Sequence, residues 1–151
     1  MQIYFSSYFY EANEQFLFVG LSNGKIFYYK KKNQDSKLLV NIKNEKNLET
    51  PELTSPQAHK GMVRKLIYTK IEGLDVLISA SADRTVKLWE PKKNHPNKCF
   101  QTIIGHTGSI LDMVYIDKVQ LLVTSSTDRT MRIWRIDKAR QLLMYPWFVE
   151  F

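Results

Sequence analysis

Ser79-Ala80-Ser81-Ala82-Asp83-Arg84-Thr85-Val86-Lys87-Leu88-Trp89 lies over Thr124-Ser125-Ser126-Thr127-Asp128-Arg129-Thr130-Met131-Arg132-Ile133-Trp134 at a constant offset of 45 residues, without a gap. Ser81, Asp83, Arg84, Thr85 and Trp89 recur unchanged, and most remaining pairs are similar in kind. A histidine precedes each copy: His59 stands 30 residues before Trp89, and His106 stands 28 before Trp134. A weaker copy lies upstream, where Asn23-Gly24-Lys25-Ile26-Phe27-Tyr28-Tyr29 aligns with Asp83 to Trp89 at an offset of 60. Asn there replaces Asp and Tyr replaces Trp, and the extra length falls in the Lys/Asn-rich stretch before His59. Self-similarity at such a period marks a stacked architecture in which each copy is one supersecondary unit.

Outward from these stretches, each unit reads as four short strands. The third unit uses Ile110 to Ile116, Leu121 to Ser126, Met131 to Arg135 and Gln141 to Met144. The second uses Met62 to Tyr68, Val76 to Ser81, Val86 to Glu90 and Cys99 to Ile104. The first uses Ile3 to Ser6, Phe16 to Gly20, Lys25 to Tyr29 and Lys37 to Ile42. Spacers such as Ile71-Glu72-Gly73 and Asn94-His95-Pro96-Asn97 carry turn chemistry. Groups of four short strands at a period of about 40–45 residues predict an all-β fold of propeller blades.

Gly105-His106 followed by Asp128-Arg129-Thr130 and Trp134 resembles a WD repeat, and Ala58-His59 with Asp83 to Trp89 resembles another. The naming dipeptide appears as Trp89-Glu90 and Trp134-Arg135. The resemblance implies a partial WD-repeat β-propeller of about three blades. The expected division is a degenerate blade over 1–45, an inserted loop over 46–58, WD blades over 59–104 and 105–144, and the start of the next segment over 145–151. Three blades fall short of the roughly four to eight that close a ring. The expectation is therefore a piece of a longer chain whose open faces are covered by further blades or a neighbouring chain.

Ser or Thr, His and Asp in one repeated set invite a hydrolase reading. A structural role fits the chemistry better. Indole N–H only donates, a hydroxyl donates and accepts, imidazole offers two distinct nitrogens, and carboxylate accepts. Trp89, Ser79, His59 and Asp83 can thus link in series, as can Trp134, Thr124, His106 and Asp128, and the resemblance implies such a tetrad. A catalytic triad would occur once and would need no tryptophan in step. Val19, Asn23 and Tyr29 hold the corresponding places in the first unit, which is expected to be the loosest or an end blade. Arg84 and Arg129 read as surface turn residues. No catalytic residue, metal site or cofactor is expected: three His and one Cys lack ligand spacing, and no phosphate-cradling glycine loop occurs.

By resemblance, partner-binding positions lie three and five residues after each repeat His and one before each turn Asp. These are Met62, Arg64 and Ala82, then Ser109, Leu111 and Thr127. A row mixing apolar, hydroxyl and one Arg side chain suits a protein surface better than phosphate. The formal net charge is +7, but Lys outnumbers Arg 16 to 6, and nucleic-acid readout favours Arg. The function expected is a non-catalytic protein-interaction scaffold in a multiprotein complex, with a ribonucleoprotein component as the alternative. No apolar run approaches the roughly 18 residues of a membrane span, and no signal peptide is evident at Met1-Gln2-Ile3. A lone cysteine, Cys99, gives no internal disulfide, so the expected setting is cytoplasmic. By analogy, the AT-rich-genome composition joined to a WD scaffold suggests a cytoskeletal assembly such as a ciliary axoneme.

Overall fold

In the computed structural model the described residues are 2–12, 16–30, 58–91, 99–136 and 142–150. They form eleven strands in three antiparallel sheets. The first sheet holds β1 (Phe5–Glu11), β2 (Phe16–Leu21) and β3 (Ile26–Lys30) in that order. The second holds β4 (Val63–Ile71), β5 (Leu74–Ser81), β6 (Thr85–Trp89) and β7 (Cys99–Ile104). The third holds β8 (Ile110–Ile116), β9 (Leu121–Ser126), β10 (Thr130–Ile136) and β11 (Leu142–Glu150). Among the described residues the only helical piece is a 3₁₀ turn, Asp117–Val119. The chain is a partial propeller whose blades follow in sequence order, each strand pairing with the next.

The period-two alternation of each strand decides which sheets touch. Ile78, Ala80, Val86 and Leu88 of the second sheet pack with Ile110, Met113, Leu122, Trp134 and Ile136 of the third. From the opposite face, Val63, Leu66, Tyr68, Leu77 and Trp89 pack with Phe18, Ile26 and Tyr28 of the first sheet. Phe18 is fully buried there, its ring 5.1 Å from Tyr28 and 5.6 Å from Tyr68 between centroids. A second sheet buried on both faces carries the near-continuous run Val76-Leu77-Ile78-Ser79-Ala80-Ser81, every residue buried.

The outer faces differ. Tyr8 (76% exposed) and Tyr10 pair with Val19 and Leu17 on the first sheet's far side. Register aligns Tyr8 and Tyr10 with Leu66 and Tyr68 of the second sheet, which are buried. On the third sheet's far side, Val114 (53% exposed) and Ile116 pair with Val123 and Leu121.

Strand bounds depart from the sequence reading at three places. The first strand runs Phe5–Glu11 rather than Ile3 to Ser6, because Ser22 N–H donates to Tyr4 O (3.0 Å) and pairing with β2 begins at Phe5↔Leu21. β4 continues through Ile71, since Glu72 (φ 52°) and Gly73 (φ 81°) alone make the turn. Two successive positive φ values are what a two-residue type I′ hairpin demands. β11 runs to Glu150, so 145–150 belongs to the third sheet rather than beginning a next segment. Its register shifts between Met131 and Ile133, where Pro146, which has no N–H to give, follows Tyr145. The expected strand Lys37 to Ile42 and the loop at 46–57 lie outside the described residues.

Candidate functional site

Three hairpins of one construction set the site. In each, a four-residue turn is closed by a backbone bond: Gly24 N–H to Leu21 O (3.1 Å), Arg84 N–H to Ser81 O (3.2 Å) and Arg129 N–H to Ser126 O (3.2 Å). The donor residue is left-handed every time, with φ 87° at Gly24, 74° at Arg84 and 64° at Arg129. The preceding side chain caps the turn: Asn23 Oδ1 accepts from Lys25 N–H, Asp83 Oδ1 from Thr85 N–H, and Asp128 Oδ1 from Thr130 N–H. Asn thus keeps the Asx capping of the turn in the first sheet. Glycine is required there for a second reason: a Cβ on Gly24 would run into the His59 carbonyl oxygen.

Beneath the second and third turns lie two superposable polar chains. Trp89 Nε1–H donates to Ser79 Oγ (2.9 Å), which lies 2.7 Å from His59 Nε2, and His59 Nδ1 lies 3.0 Å from Asp83 Oδ2. Trp134 Nε1–H donates to Thr124 Oγ1 (2.9 Å), with His106 Nε2 at 2.8 Å and His106 Nδ1 2.8 Å from Asp128 Oδ2. A carboxylate only accepts, so Nδ1 carries the proton and Nε2 accepts from the hydroxyl. Every member is then satisfied, which is the condition for a buried polar network to stabilise. Each Asp also accepts from a backbone N–H after the His (Lys60 or Thr107) and from a Thr hydroxyl (Thr85 or Thr130).

Electrostatics follow from this geometry. Burial on its own raises the Asp83 carboxyl, yet bonds from His59, Thr85 and Lys60 outweigh it and hold the group well below the carboxylate range. Asp128 behaves likewise through Thr130, His106 and Thr107. Burial depresses His106, partly offset by Asp128, which favours the neutral ring. Ser79 and Thr124 are fully buried, so neither hydroxyl is open to a substrate. Among the described residues no group of three or more His, Cys, Asp or Glu could hold a metal, and no helix is long and apolar enough to cross a membrane. In the first sheet Val19, beside Leu17 and Leu21, forms an apolar cluster in place of the polar chain.

The six positions singled out as partner-binding fall together at the turn end. Ala82 N–H donates to Met62 O (2.8 Å) and Thr127 N–H to Ser109 O (2.9 Å), binding each turn to the start of its inner strand. Ser109 Oγ–H then donates to Ala82 O (3.1 Å), joining one pair to the next. Arg64 and Leu111 sit at register shifts, between Val63/Lys65 and Ile110/Asp112. Such bulges re-aim a side chain out of the ladder, and both residues are exposed, Leu111 by 48%. Thr127 is exposed, while Met62, Ala82 and Ser109 are half-buried. The first sheet supplies an equivalent trio that the sequence reading missed: Tyr4 and Ser22 share the same backbone bond, and Ser6 sits at the same bulge. Ser6 Oγ–H donates to Val63 O (2.6 Å), fastening the first sheet to the second.

The model of the family "WD domain, G-beta repeat" matches residues 52–90 and 97–135, just over half the chain. The second match spans β7 to β10 and so crosses from one sheet to the next. Two solved structures illustrate the fold. One, described as "Crystal Structure of Mitotic Checkpoint Complex", superposes with a TM-score of 0.64 at 20% identity, over 88% of this chain and 34% of that one. The other, the computationally designed Ika8 protein, gives a TM-score of 0.63 at 19% identity, over 92% of this chain and 35% of that one. The chain thus spans about a third of the length of these structures. No curated protein matches its sequence.

Proposed function

The chain belongs to the WD-repeat family, and from that premise we propose that it is a non-catalytic scaffold which positions other proteins in a multisubunit assembly. WD repeats support an interaction role, and one structure similar in fold is itself a complex. The observation that carries the reading is the row Met62, Arg64, Ala82, Ser109, Leu111 and Thr127, gathered at one end by backbone bonds and presented by two bulges. The polar chains below it hold that end rigid, as a binding constellation requires.

Composition and analogy favour a cytoplasmic setting in a cytoskeletal or ciliary axonemal assembly. Further blades, of this chain or of a neighbouring one, are proposed to cover Tyr8 and Tyr10 on one outer face and Val114 and Ile116 on the other.

The test is partner capture by the tagged chain, with and without nuclease. Arg64→Ser and Leu111→Asp should each reduce recovery of a protein partner while shifting Tm by no more than about two degrees. Loss of every partner on nuclease treatment would replace this reading with the ribonucleoprotein alternative.

A further inference from the structure

We propose that the turn end takes an acidic segment of a protein partner, laid across the second sheet over Lys60, Arg64 and Arg84 and continuing toward Arg129. The inference rests on the protein-binding reading above and supplies the chemistry of what is bound.

All four cationic side chains are exposed. Among the described residues none of them lies within ion-pair distance of a carboxylate; the lysine that does is Lys65, held 3.1 Å from Asp112. The carboxylates next to Arg84 and Arg129 in sequence, Asp83 (which also accepts from Lys60 N–H) and Asp128, face inward. Both oxygens of Asp83 and both of Asp128 are occupied by His, Thr and backbone donors. They cannot turn outward to neutralise the arginines. Among the described residues, positive charge therefore stands at this end without a carboxylate partner.

Topology brings the four together. Lys60 N–H is bonded to the carboxylate of Asp83, the residue immediately before Arg84. Arg64 follows Met62, whose carbonyl is bonded to Ala82, two residues before Arg84. Ser109 ties this group to the third sheet, whose turn carries Arg129.

Two backbone features point the same way. Arg64 is turned out of the ladder by its bulge. Arg84 and Arg129 occupy left-handed positions that strain a side-chain residue and that the first sheet fills with Gly24. An L-residue held in such a conformation is a pointer toward function.

The surroundings select protein over nucleic acid. At the places of Lys60 and Arg64 the third sheet has Thr107 and Leu111, so the charge is concentrated on the second sheet and flanked by exposed Leu111 and half-buried Met62. A duplex needs a longer cationic track, typically 6–10 phosphate contacts. A short run of Asp and Glu carrying an apolar side chain for Leu111 fits this end.

The experiment is fluorescence anisotropy on the full chain with four probes. They are a labelled Asp/Glu-rich peptide with one central leucine, its Asn/Gln counterpart, a phosphoserine version, and a single-stranded oligonucleotide of equal length. The acidic peptide should saturate and the amide peptide should not. Neutralising the pair by Lys60→Gln with Arg64→Gln should weaken binding about tenfold, whereas Lys70→Glu and Lys118→Glu, at the opposite end, should leave it unchanged. Arg84→Gly with Arg129→Gly should weaken binding several-fold while Tm holds or rises, a combination that a purely structural role for these arginines does not give. Tighter binding of the phosphoserine peptide would identify phosphorylated segments as the source of the negative charge, and equal binding would identify carboxylates. Binding that ignores the charge variants, or an oligonucleotide that outcompetes the peptide, would overturn the proposal. If Leu111→Asp and Arg64→Ser reduce capture of a native protein partner while Lys60→Gln alone and Arg84→Gly with Arg129→Gly do not, and the acidic and amide peptides bind alike, the scaffold reading stands and the acidic-segment inference alone fails.

Discussion

The first sheet and the two that follow share a hairpin but differ in what lies beneath it. The turns at Asn23, Asp83 and Asp128 are capped alike, and the inner strands bulge at the same place in Ser6, Arg64 and Leu111. Below the cap the second and third sheets run Trp–hydroxyl–His–Asp, whereas the first has Leu17, Val19 and Leu21. Turn geometry and polar chain are therefore separable. A short Asx cap suffices to fold the hairpin. What the chain adds is a tie from β5 and β6, or from β9 and β10, to the segment carrying the histidine, which enters from the preceding sheet. The family match that crosses from β7 into β8 expresses the same fact: one sequence repeat fastens two sheets.

The comparison can be strained hardest at the tryptophan. Trp89 is 1% exposed, packs between the first two sheets and donates to Ser79. Trp89→Ala should destabilise by about 3–5 kcal/mol. Trp89→Phe, which keeps most of the ring but leaves Ser79 without its donor, should cost about 1–3 kcal/mol. A Trp89→Phe variant that loses nothing in urea denaturation, beside a full loss for Trp89→Ala, would mean that the indole serves by volume alone.

The next effect separates cap from chain directly. Asp83→Asn keeps an oxygen for Thr85 N–H but loses the charge that accepts from His59 and Lys60, and should cost about 1–3 kcal/mol. Asn23→Asp, where no histidine waits, should move stability by less than about 0.5 kcal/mol. Similar losses at both sites would show that the polar chain adds nothing to the cap.

Proton linkage gives the same contrast without losing a side chain. Asp83 and Asp128 are depressed in the folded state, so their contribution is complete above the unfolded carboxylate value near 4 and is lost as pH falls toward their folded values. His106 is also depressed: the unfolded chain binds its proton first, so stability falls as pH drops below about 6.5. Urea midpoints should therefore decline in two stages from neutral to acid pH. Asp128→Asn should flatten the lower stage and His106→Gln the upper. A single decline that neither variant changes would contradict the assignment.

How much of this was legible depended on having two copies to compare. The 45-residue offset announced the stacked sheets, and Asp83 and Asp128 with their histidines marked where the turns fall. The strand bounds were less legible. The Ser6-Ser7 pair hides the alternation of β1, and a bulge opposite Met131 lets β11 run past Pro146. The trio Tyr4, Ser6 and Ser22 was missed because the positions were counted from a histidine, and none precedes the Asn23 turn. Only the shared backbone bond between Tyr4 and Ser22 reveals the equivalence. The bulge at Arg64 and the left-handed φ of Arg84 likewise belong to chain geometry, which residue type alone does not encode.

The smallest effect concerns the one turn position where the first sheet is the better fitted. Gly24, Arg84 and Arg129 share a left-handed conformation, and glycine adopts it without the Cβ–carbonyl conflict that an L-residue meets. Arg84→Gly and Arg129→Gly should each raise stability by about 0.5–1 kcal/mol at most, because glycine's greater freedom in the unfolded chain offsets part of the strain relieved. For a folding unit of this size that is a rise in Tm of a few degrees, measurable by calorimetry. Among the described residues neither arginine makes a side-chain bond that the change would remove, and both side chains are exposed, so little burial is lost to mask the gain. The two substitutions should also add, since the turns belong to different sheets. A loss of 1 kcal/mol or more at either site would show that the guanidinium stabilises the fold, and the left-handed arginines would then be explained by structure rather than by what they bind.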